Sequence, residues 1–549
     1  MRTGKPLKKF PIDETYDAIL IGSGVGALTT AALLAKANNK KVLVLEKHYT
    51  AGGFTHSFKR PGFEWDVGVH YVGEIKNKGG LGQILDYVTD GELTWADMGP
   101  VYDEIVIGGD RYPFMVGKRA WRETMCKAFP NDVQAIDRYL SELKKLKLAA
   151  TLYFADKVLS GPLTAVAGPL LRSRLLKISS ATVHDVLSSI TQNKRLRAVL
   201  AGQWGDYGLP PKQASWAIHA MVASHYFQGA YYPAGGAAQI AAMVEKVLER
   251  NGGRIATNAG VAEVLVEGGR AVGVKLESGQ EVRAPIVCSN AGVPLTQSLL
   301  PDCAAKRELG AVRARTETSA AHVSLYVGMN RTAAELQLPK NNIWVYPGDD
   351  HDAQVAAWTK SPEADLPVAF LSFPSARDPH FLDNHPGNAT LEVLTLVPYD
   401  WVSQWEDTKW KKRGADYDAF KASLSEKLLA ALLEQCPQVR DHIEIAELST
   451  PLTTKHFAGH PMGEIYGIAC TPQRFEEKAM RPATKLPGMW MTGADVCSPG
   501  VAGAAIGGVL AATAISKRNL FSKAMGGPYE PKIVAAPSAE VPGRRQAAE

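Results

Sequence analysis

Two groups of residues have types and spacing that can do chemistry. The first is the glycine turn Gly22-Ser23-Gly24-Val25-Gly26-Ala27, with Glu46 a short helix and strand further on. Gly22 permits a tight turn out of a strand, Gly24 lets backbone approach a pyrophosphate, and the small Ala27 lets helix pack on strand. The helix N-terminus that follows offers free N–H groups and about half a positive charge to phosphates. Glu46 can accept from both hydroxyls of an adenosine ribose and repels a 2′-phosphate, so a dinucleotide is expected and NADP is disfavoured. The second group comprises side chains able to hold a proton beside glycines: His70, Tyr71, Tyr232, His456 and Tyr466. Each also has an ordinary reading, the stronger one, as a packing or hydrogen-bonding residue. His219 and His225 would not share a helix face and suggest no metal site.

The elements that must position these residues can be read from periodicity. Residues 16–21 form a short apolar strand, 28–37 a helix and 41–45 a second strand, the first half of a Rossmann unit. The first 15 residues read as a polar leader. Residues 80–228 look mainly helical, with a helix at about 133–148. Segment 158–171 carries no charge, contains Gly161, Pro162, Gly168 and Pro169, and leads into Arg172, Arg174 and Lys177. Either it lies on a membrane surface, apolar residues buried and basic ones on headgroups, or it is a buried helix pair broken at its prolines. A second nucleotide-binding block spans about 231–292, with a helix at 239–250, a strand near 261–266 and a strand pair around Gly279. Further strands are expected at 323–327, 368–373 and 391–397. Tyr417, Phe420, Leu424, Leu428 and Leu432 predict one amphipathic helix. Residues 487–516 return to Gly- and Ala-rich sequence with a closing helix.

Three features turn the dinucleotide into FAD. Gly52-Gly53 follows Glu46 closely, with Arg60 just beyond, and can wrap a second phosphate-bearing half. Val261 opens a strand that can meet adenine by backbone contacts. Gly493-Ala494-Asp495 and then Gly500-Val501-Ala502 lie near the far end, where N–H groups of the last helix can meet pyrophosphate or flavin. Gly26, Lys47 and Phe54 complete the expected cofactor set. The expected fold is therefore α/β: an FAD-binding Rossmann-type domain of three layers (ββα), assembled from 1–80, 229–300 and 485–525. A mixed sheet-and-helix substrate domain, 81–228 and 301–484, is inserted, with a membrane-contacting segment at 150–177 as one option and a disordered tail at 526–549.

Composition limits the function classes. Apolar residues make up 46% and charged residues 21% of 549, with a net charge of +5, as in an ordinary globular protein. No basic block with interleaved aromatics is present, which argues against nucleic acid. Six scattered cysteines form no Cys-x-x-Cys pair and read as reduced thiols of a cytoplasmic protein. No stretch reaches the roughly 18 apolar residues of a spanning helix, so contact with a membrane would be peripheral, on its inner face.

Five blocks resemble the carotenoid desaturase and isomerase family of FAD enzymes, and within it the retinol saturase branch. They are 17–58, 62–73 (GFEWDVGVHYVG), 225–240 (HYFQGAYYPAGGAAQI), 451–475 (PLTTKHFAGHPMGEIYGIACTPQRF) and 491–508. The resemblance implies chemistry on carbon–carbon double bonds (CH–CH groups) of long lipophilic molecules such as a retinoid, a carotenoid or an unsaturated acyl lipid. Saturation, desaturation and isomerisation all stay open. It implies that Gly22, Gly24, Glu46, Gly53, Val261, Gly493 and Asp495 touch FAD, and that His70, Tyr232 and Gly235 lie near the isoalloxazine or the substrate channel. His70 and Tyr232 are thus the catalytic candidates. No second nucleotide-binding turn is visible, so a saturase would need an external electron donor, and a desaturase would pass electrons to a quinone or oxygen. The alternatives are a flavin amine oxidase and a non-catalytic prenyl-lipid escort protein of the same fold.

Overall fold

Strands Ala18–Ile21 and Val42–Leu45 are buried along their whole length. A strand that is apolar on both faces must be covered on both. In the computed structural model, which describes residues 2–159 and 162–537, they form the middle of a six-stranded parallel sheet. Its order is Lys5–Pro6, Arg254–Thr257, Val42–Leu45, Ala18–Ile21, Ile286–Ser289, Met489–Met491. Alternate side chains go to opposite faces. Ala18, Leu20, Val42 and Val44 pack against helices Val25–Asn38, Ala238–Arg250 and Gly500–Ser516. Ile19, Ile21, Leu43 and Leu45 pack on the antiparallel meander Val261–Glu267, Arg270–Leu276, Glu281–Arg283. The three layers, drawn from three separated stretches of chain, match the expected fold class. The chain order reverses around Ala18–Ile21, and the crevice at such a switch point is where open α/β sheets bind ligands.

The second body is a seven-stranded sheet, ordered Ile443–Ser449, Ala321–Met329, Ala389–Val397, Ala369–Ser372, Asn342–Tyr346, Val101–Ile107, Asp110–Met115. Its register sorts the side chains sharply. One face carries Val323, Leu325, Ile343, Leu371 and Val393 and is covered by helix Ala415–Gln435 through Leu424, Leu428 and Leu432. The other is aromatic and polar, with His322, Ser324, Tyr326, Trp344, Phe370 and Glu392 brought side by side. The loop after Phe63–Asp66, which contains His70, lies against this second face.

Several local expectations change. The first residues are no free leader: Lys5–Pro6 is the edge strand of the parallel sheet and Thr3 is buried. The chain beyond 526 is ordered as far as 537. Lys532–Ala535 pairs with Thr94–Asp97, the Tyr529 hydroxyl donates to Ile75 O, and Gln83 Nε2 donates to Gly527 O. Its Pro- and Ala-rich composition reads as unfolded, but an open strand edge gives the backbone a partner. The rest of that expected tail, 538–549, lies outside the described residues. Region 80–228 is not purely helical, because Val101–Ile107 and Asp110–Met115 form a hairpin through Gly108-Gly109. The helix expected at 133–148 is two, Val133–Lys144 and Leu146–Val158. The uncharged segment enters the single helix Pro162–Ser179, which carries Pro169 in its interior. Residues 160 and 161 lie outside the described residues.

Candidate functional site

The glycine turn leaves the sheet at its C-terminal edge. Gly22 has φ of +85°, which a side chain would strain, and its N–H donates to Leu45 O (2.8 Å). Gly24 precedes helix Val25–Asn38 in extended conformation with no side-chain cap. The first N–H groups of the helix are thereby left for a ligand. Glu46 is aimed at the turn: Ser23 N and Oγ donate to its Oε2 (2.9 and 2.6 Å), and His48 N donates to its Oε1 (2.8 Å). Gly52 N donates to Ser23 Oγ (3.0 Å). A Cβ on Gly53 would stand 2.9 Å from Gly24 Cα, and one on Gly26 only 2.4 Å from Gly493 Cα. Segments far apart in sequence thus close on one another through missing side chains. Phe54, in the turn after Gly53, lies against Gly68. Ala27 is fully buried. Val261 opens the meander just after Ala259, whose N–H donates to Glu46 O (2.8 Å).

Helix Gly500–Ser516 also starts without a side-chain cap, after Pro499, with Gly500 exposed and Val501 and Ala502 half-buried. It packs on the glycine-turn helix where a Cβ on Gly508 would meet Gly26 O at 2.7 Å. Its N-terminus therefore extends just over two turns, about 12 Å of helix, beyond that contact. Two uncapped helix N-termini separated along one edge suit an elongated ligand with phosphate in its middle, as FAD is.

Three expected cofactor contacts have other work. The Arg60 guanidinium is forked onto Glu447 (2.7 and 2.6 Å). Asp495 is buried and accepts from Val293 N (2.7 Å) and Ile468 N (2.9 Å), clamping three chain pieces together. Lys47 is exposed and pairs with Glu277. Asn290 was not singled out from sequence. It follows the central strand Ile286–Ser289 directly, and its amide occupies the space where side chains on Gly24, Gly26 and Gly493 would stand. Its sequence signal is only the short apolar run 286–288 just before it.

The proton-group candidates divide. His456 lies apart, stacked on exposed Trp410. Tyr466 donates to Gly205 O (3.0 Å). The Tyr232 hydroxyl donates to Asp66, whose carboxyl also accepts from Ala237 N (3.0 Å). Burial raises that carboxyl to about 7. Gly235 N donates to Asp378 Oδ1 (2.8 Å). His70 lies edge-on to Phe370, and burial, with the Arg377 charge, lowers its pKa to about 3. Its imidazole is therefore neutral at physiological pH.

Tyr71 makes the most telling contacts. Its hydroxyl is 2.9 Å from both Asp103 Oδ2 and Asp206 Oδ2. A phenol has one hydrogen to give, so one of these carboxyls must carry a proton. Asp103 also accepts from Gln203 (2.8 Å) and Asn342 (3.0 Å). Asp206 has no such donors, and burial raises its pKa well above the usual range, so Asp206 holds the proton. Asp103, Asp206, Arg377 and Glu392 carried no sequence signal, because only the sheet register and helix packing bring them to His70 and Tyr71. Separately, a surface cleft of about 410 Å³ lies beside Gly235, lined by Leu93, Gln239, Met243 and His380 but not by Glu46, the glycine turn or His70.

A three-layer domain of parallel sheet, helices and meander, with its glycine turn at the sheet's C-terminal edge, defines this chain as a Rossmann-type dinucleotide-binding protein. A model of the NAD(P)-binding Rossmann-like domain matches residues 20–88. The all-trans-retinol 13,14-reductase of Danio rerio is 35% identical over 93% of this chain and 88% of its own. A prolycopene isomerase of an Oncidium hybrid cultivar is 24% identical over 93% of this chain and 85% of its own. Among solved structures, an oxidoreductase from Methanosarcina mazei superposes with TM-score 0.59 at 16% identity, over 91% of this chain and 100% of that one. The chain belongs to the all-trans-retinol 13,14-reductase family. Full-length similarity of this kind does not favour the amine-oxidase and escort readings.

Proposed function

We propose that this protein is an FAD-dependent enzyme that saturates a carbon–carbon double bond of a lipophilic polyene of the retinoid type. The observation that carries the reading is its similarity to all-trans-retinol 13,14-reductase over nearly the whole of both chains. The paired uncapped helix N-termini support the cofactor. Bound FAD supplies hydride-transfer chemistry. The protein's own residues do the rest. The glycine turn and Gly52-Gly53 make room for phosphates, Glu46 holds the ribose, and the first turns of the two helices bind anionic groups. Trp344 and Phe370, on the inward sheet face, present apolar surface that orients a polyene and keeps water out.

The test is incubation of purified, reduced holoprotein with all-trans-retinol, followed by mass spectrometry. A gain of two mass units is expected. A loss of two would show desaturation, and altered retention at constant mass would show isomerisation; either result overturns the saturase reading. Replacing Glu46 by Ala is expected to weaken FAD retention about 10- to 100-fold, the worth of a charge-assisted hydrogen bond. The flavin-to-protein ratio after gel filtration measures it, and an unchanged ratio removes Glu46 from the site.

Only one dinucleotide-binding turn is found among the described residues, which supports an external donor of reducing equivalents. A peripheral membrane site suits the substrate. Val166 and Leu170, one helical turn apart, are 81% and 78% exposed, and Leu148 is 56% exposed on the preceding helix. Lys147, Arg174 and Lys177 are exposed nearby in the chain. Arg172 takes no part, since it is buried against Asp156 (3.0 Å). Among the described residues no helix is long and apolar enough to cross a membrane. Co-sedimentation with anionic liposomes should be lost in Val166→Glu/Leu170→Glu, whereas equal sedimentation of variant and wild type would end this assignment.

A further inference from the structure

Glu392 is the carboxyl on the inward sheet face that no group among the described residues satisfies. It lies in strand Ala389–Val397 between Tyr326 and Ser372, its directly opposed neighbours. The side chain is 1% exposed, and neither oxygen has a hydrogen-bond partner. The other buried carboxyls here are engaged: Asp66 by Tyr232 and Ala237, Asp103 by Tyr71, Gln203 and Asn342, Asp206 by Tyr71. His70 Nδ1 stands 3.8 Å from Glu392 Oε2, beyond hydrogen-bond length. On the same face His322 Nδ1 and Ser324 Oγ are also unpartnered. Buried polar atoms without partners are rare in folded proteins, and such a cluster marks a place for water or a ligand.

We propose that Glu392 is the proton donor of the double-bond chemistry. This rests on the function proposed above. In saturation the π bond breaks and two C–H bonds form. Bound reduced FAD, a two-electron donor, would supply the electron pair and one hydrogen as hydride. The second hydrogen leaves Glu392 as a proton: its O–H bond breaks, a C–H bond forms at the adjacent carbon, and the carboxylate takes up a proton from bulk solvent before the next turnover.

An ionised carboxylate with no hydrogen bond is strongly disfavoured in an apolar interior. Burial and the nearby Asp66 carboxyl hold Glu392 protonated well above the usual carboxylate range, and Arg377 opposes them only in part. The other ionisable groups near it, Tyr232, Tyr326 and His70, are themselves neutral at physiological pH. A buried acid kept neutral can donate a proton at neutral pH. His70 has no imidazolium proton to offer.

Infrared spectroscopy of the wild-type holoprotein and of Glu392→Gln tests the protonation state without turnover. A protonated-carboxyl C=O band at neutral pH should vanish in Glu392→Gln and shift in Glu392→Asp; a spectrum unchanged by both variants overturns the proposal. Turnover of all-trans-retinol by Glu392→Gln should fall about 10²- to 10⁴-fold, the range for loss of a general acid. Flavin content and melting temperature should stay at wild-type levels, because Gln reproduces a neutral carboxyl in shape. Turnover within a few-fold of wild type overturns the proposal. If wild type itself leaves retinol unchanged, the functional reading fails, and the infrared band still decides whether Glu392 holds a proton.

Discussion

Arg377→Met should destabilise the protein by about 3–5 kcal/mol, the usual cost of removing one member of a buried charged network. Arg377 is fully buried in the short helix Pro374–Arg377. Its guanidinium donates to Lys340 O (2.6 Å), His70 O (2.6 Å), Asn342 Oδ1 (2.5 Å) and Ser372 Oγ (3.2 Å). Asn342 in turn donates to Asp103 (3.0 Å). One cation therefore ties the His70 loop to the inward sheet face and, through Asn342, to the Tyr71 carboxyls. Methionine fills much of the volume but leaves those acceptors without a donor, and each uncompensated group adds its own desolvation cost. Burial already lowers the guanidinium to about 10, so its charge is maintained at a cost that the hydrogen bonds must offset. Thermal unfolding measures the effect. A Met variant that melts with wild type would show that the network is incidental. Arg377→Lys should fall between the two, since an ammonium cannot span the same fork of acceptors.

Gly26→Ala should have the next largest effect, and Gly24→Ala a much smaller one. The added methyl at Gly26 would stand 2.4 Å from Gly493 Cα and 2.8 Å from Gly493 N. Both are backbone, so the glycine turn and the segment before the closing helix must separate. At Gly24 the nearest atom is the Asn290 amide nitrogen at 2.6 Å, the end of a side chain that can turn aside. Overpacking against fixed backbone costs about 1–3 kcal/mol. Here it would also pull apart the two helix N-termini proposed to hold FAD, so the variant should purify with little or no flavin. Absorbance of the purified proteins and their melting temperatures separate the cases. Equal flavin content in Gly26→Ala and wild type would show that the closure between the two ends of the chain does not form the site.

The contrast between these glycines shows how the sequence could be read and where it stopped. The glycine string 22–27 announced a dinucleotide turn because the constraint is local: a few residues set the turn, and Gly22 needs its positive φ whatever surrounds it. That Gly26 must also admit Gly493 depends on a partner at the other end of the chain. Glu46 could be placed by counting from the turn, since strand and helix lengths between the two are narrowly set. Arg60 and Asp495 lay at suggestive spacings, yet Glu447, Val293 and Ile468 claim them.

The sequence by itself determined the parallel dinucleotide sheet, its glycine turn, the return of the chain to that sheet near its end, and a family of lipophilic double-bond enzymes. These signals are short in range or survive as contiguous blocks. Only the tertiary structure decided what the inward face of the second sheet contains. Asp103, Tyr326, Trp344, Phe370 and Glu392 come from separate strands, and a shift of one residue in any strand would turn its side chain to the opposite face. Their convergence on His70 and Tyr71 is a property of register and burial. Burial then sets the proton inventory by penalising charge, leaving His70 neutral and Asp206 and Glu392 protonated.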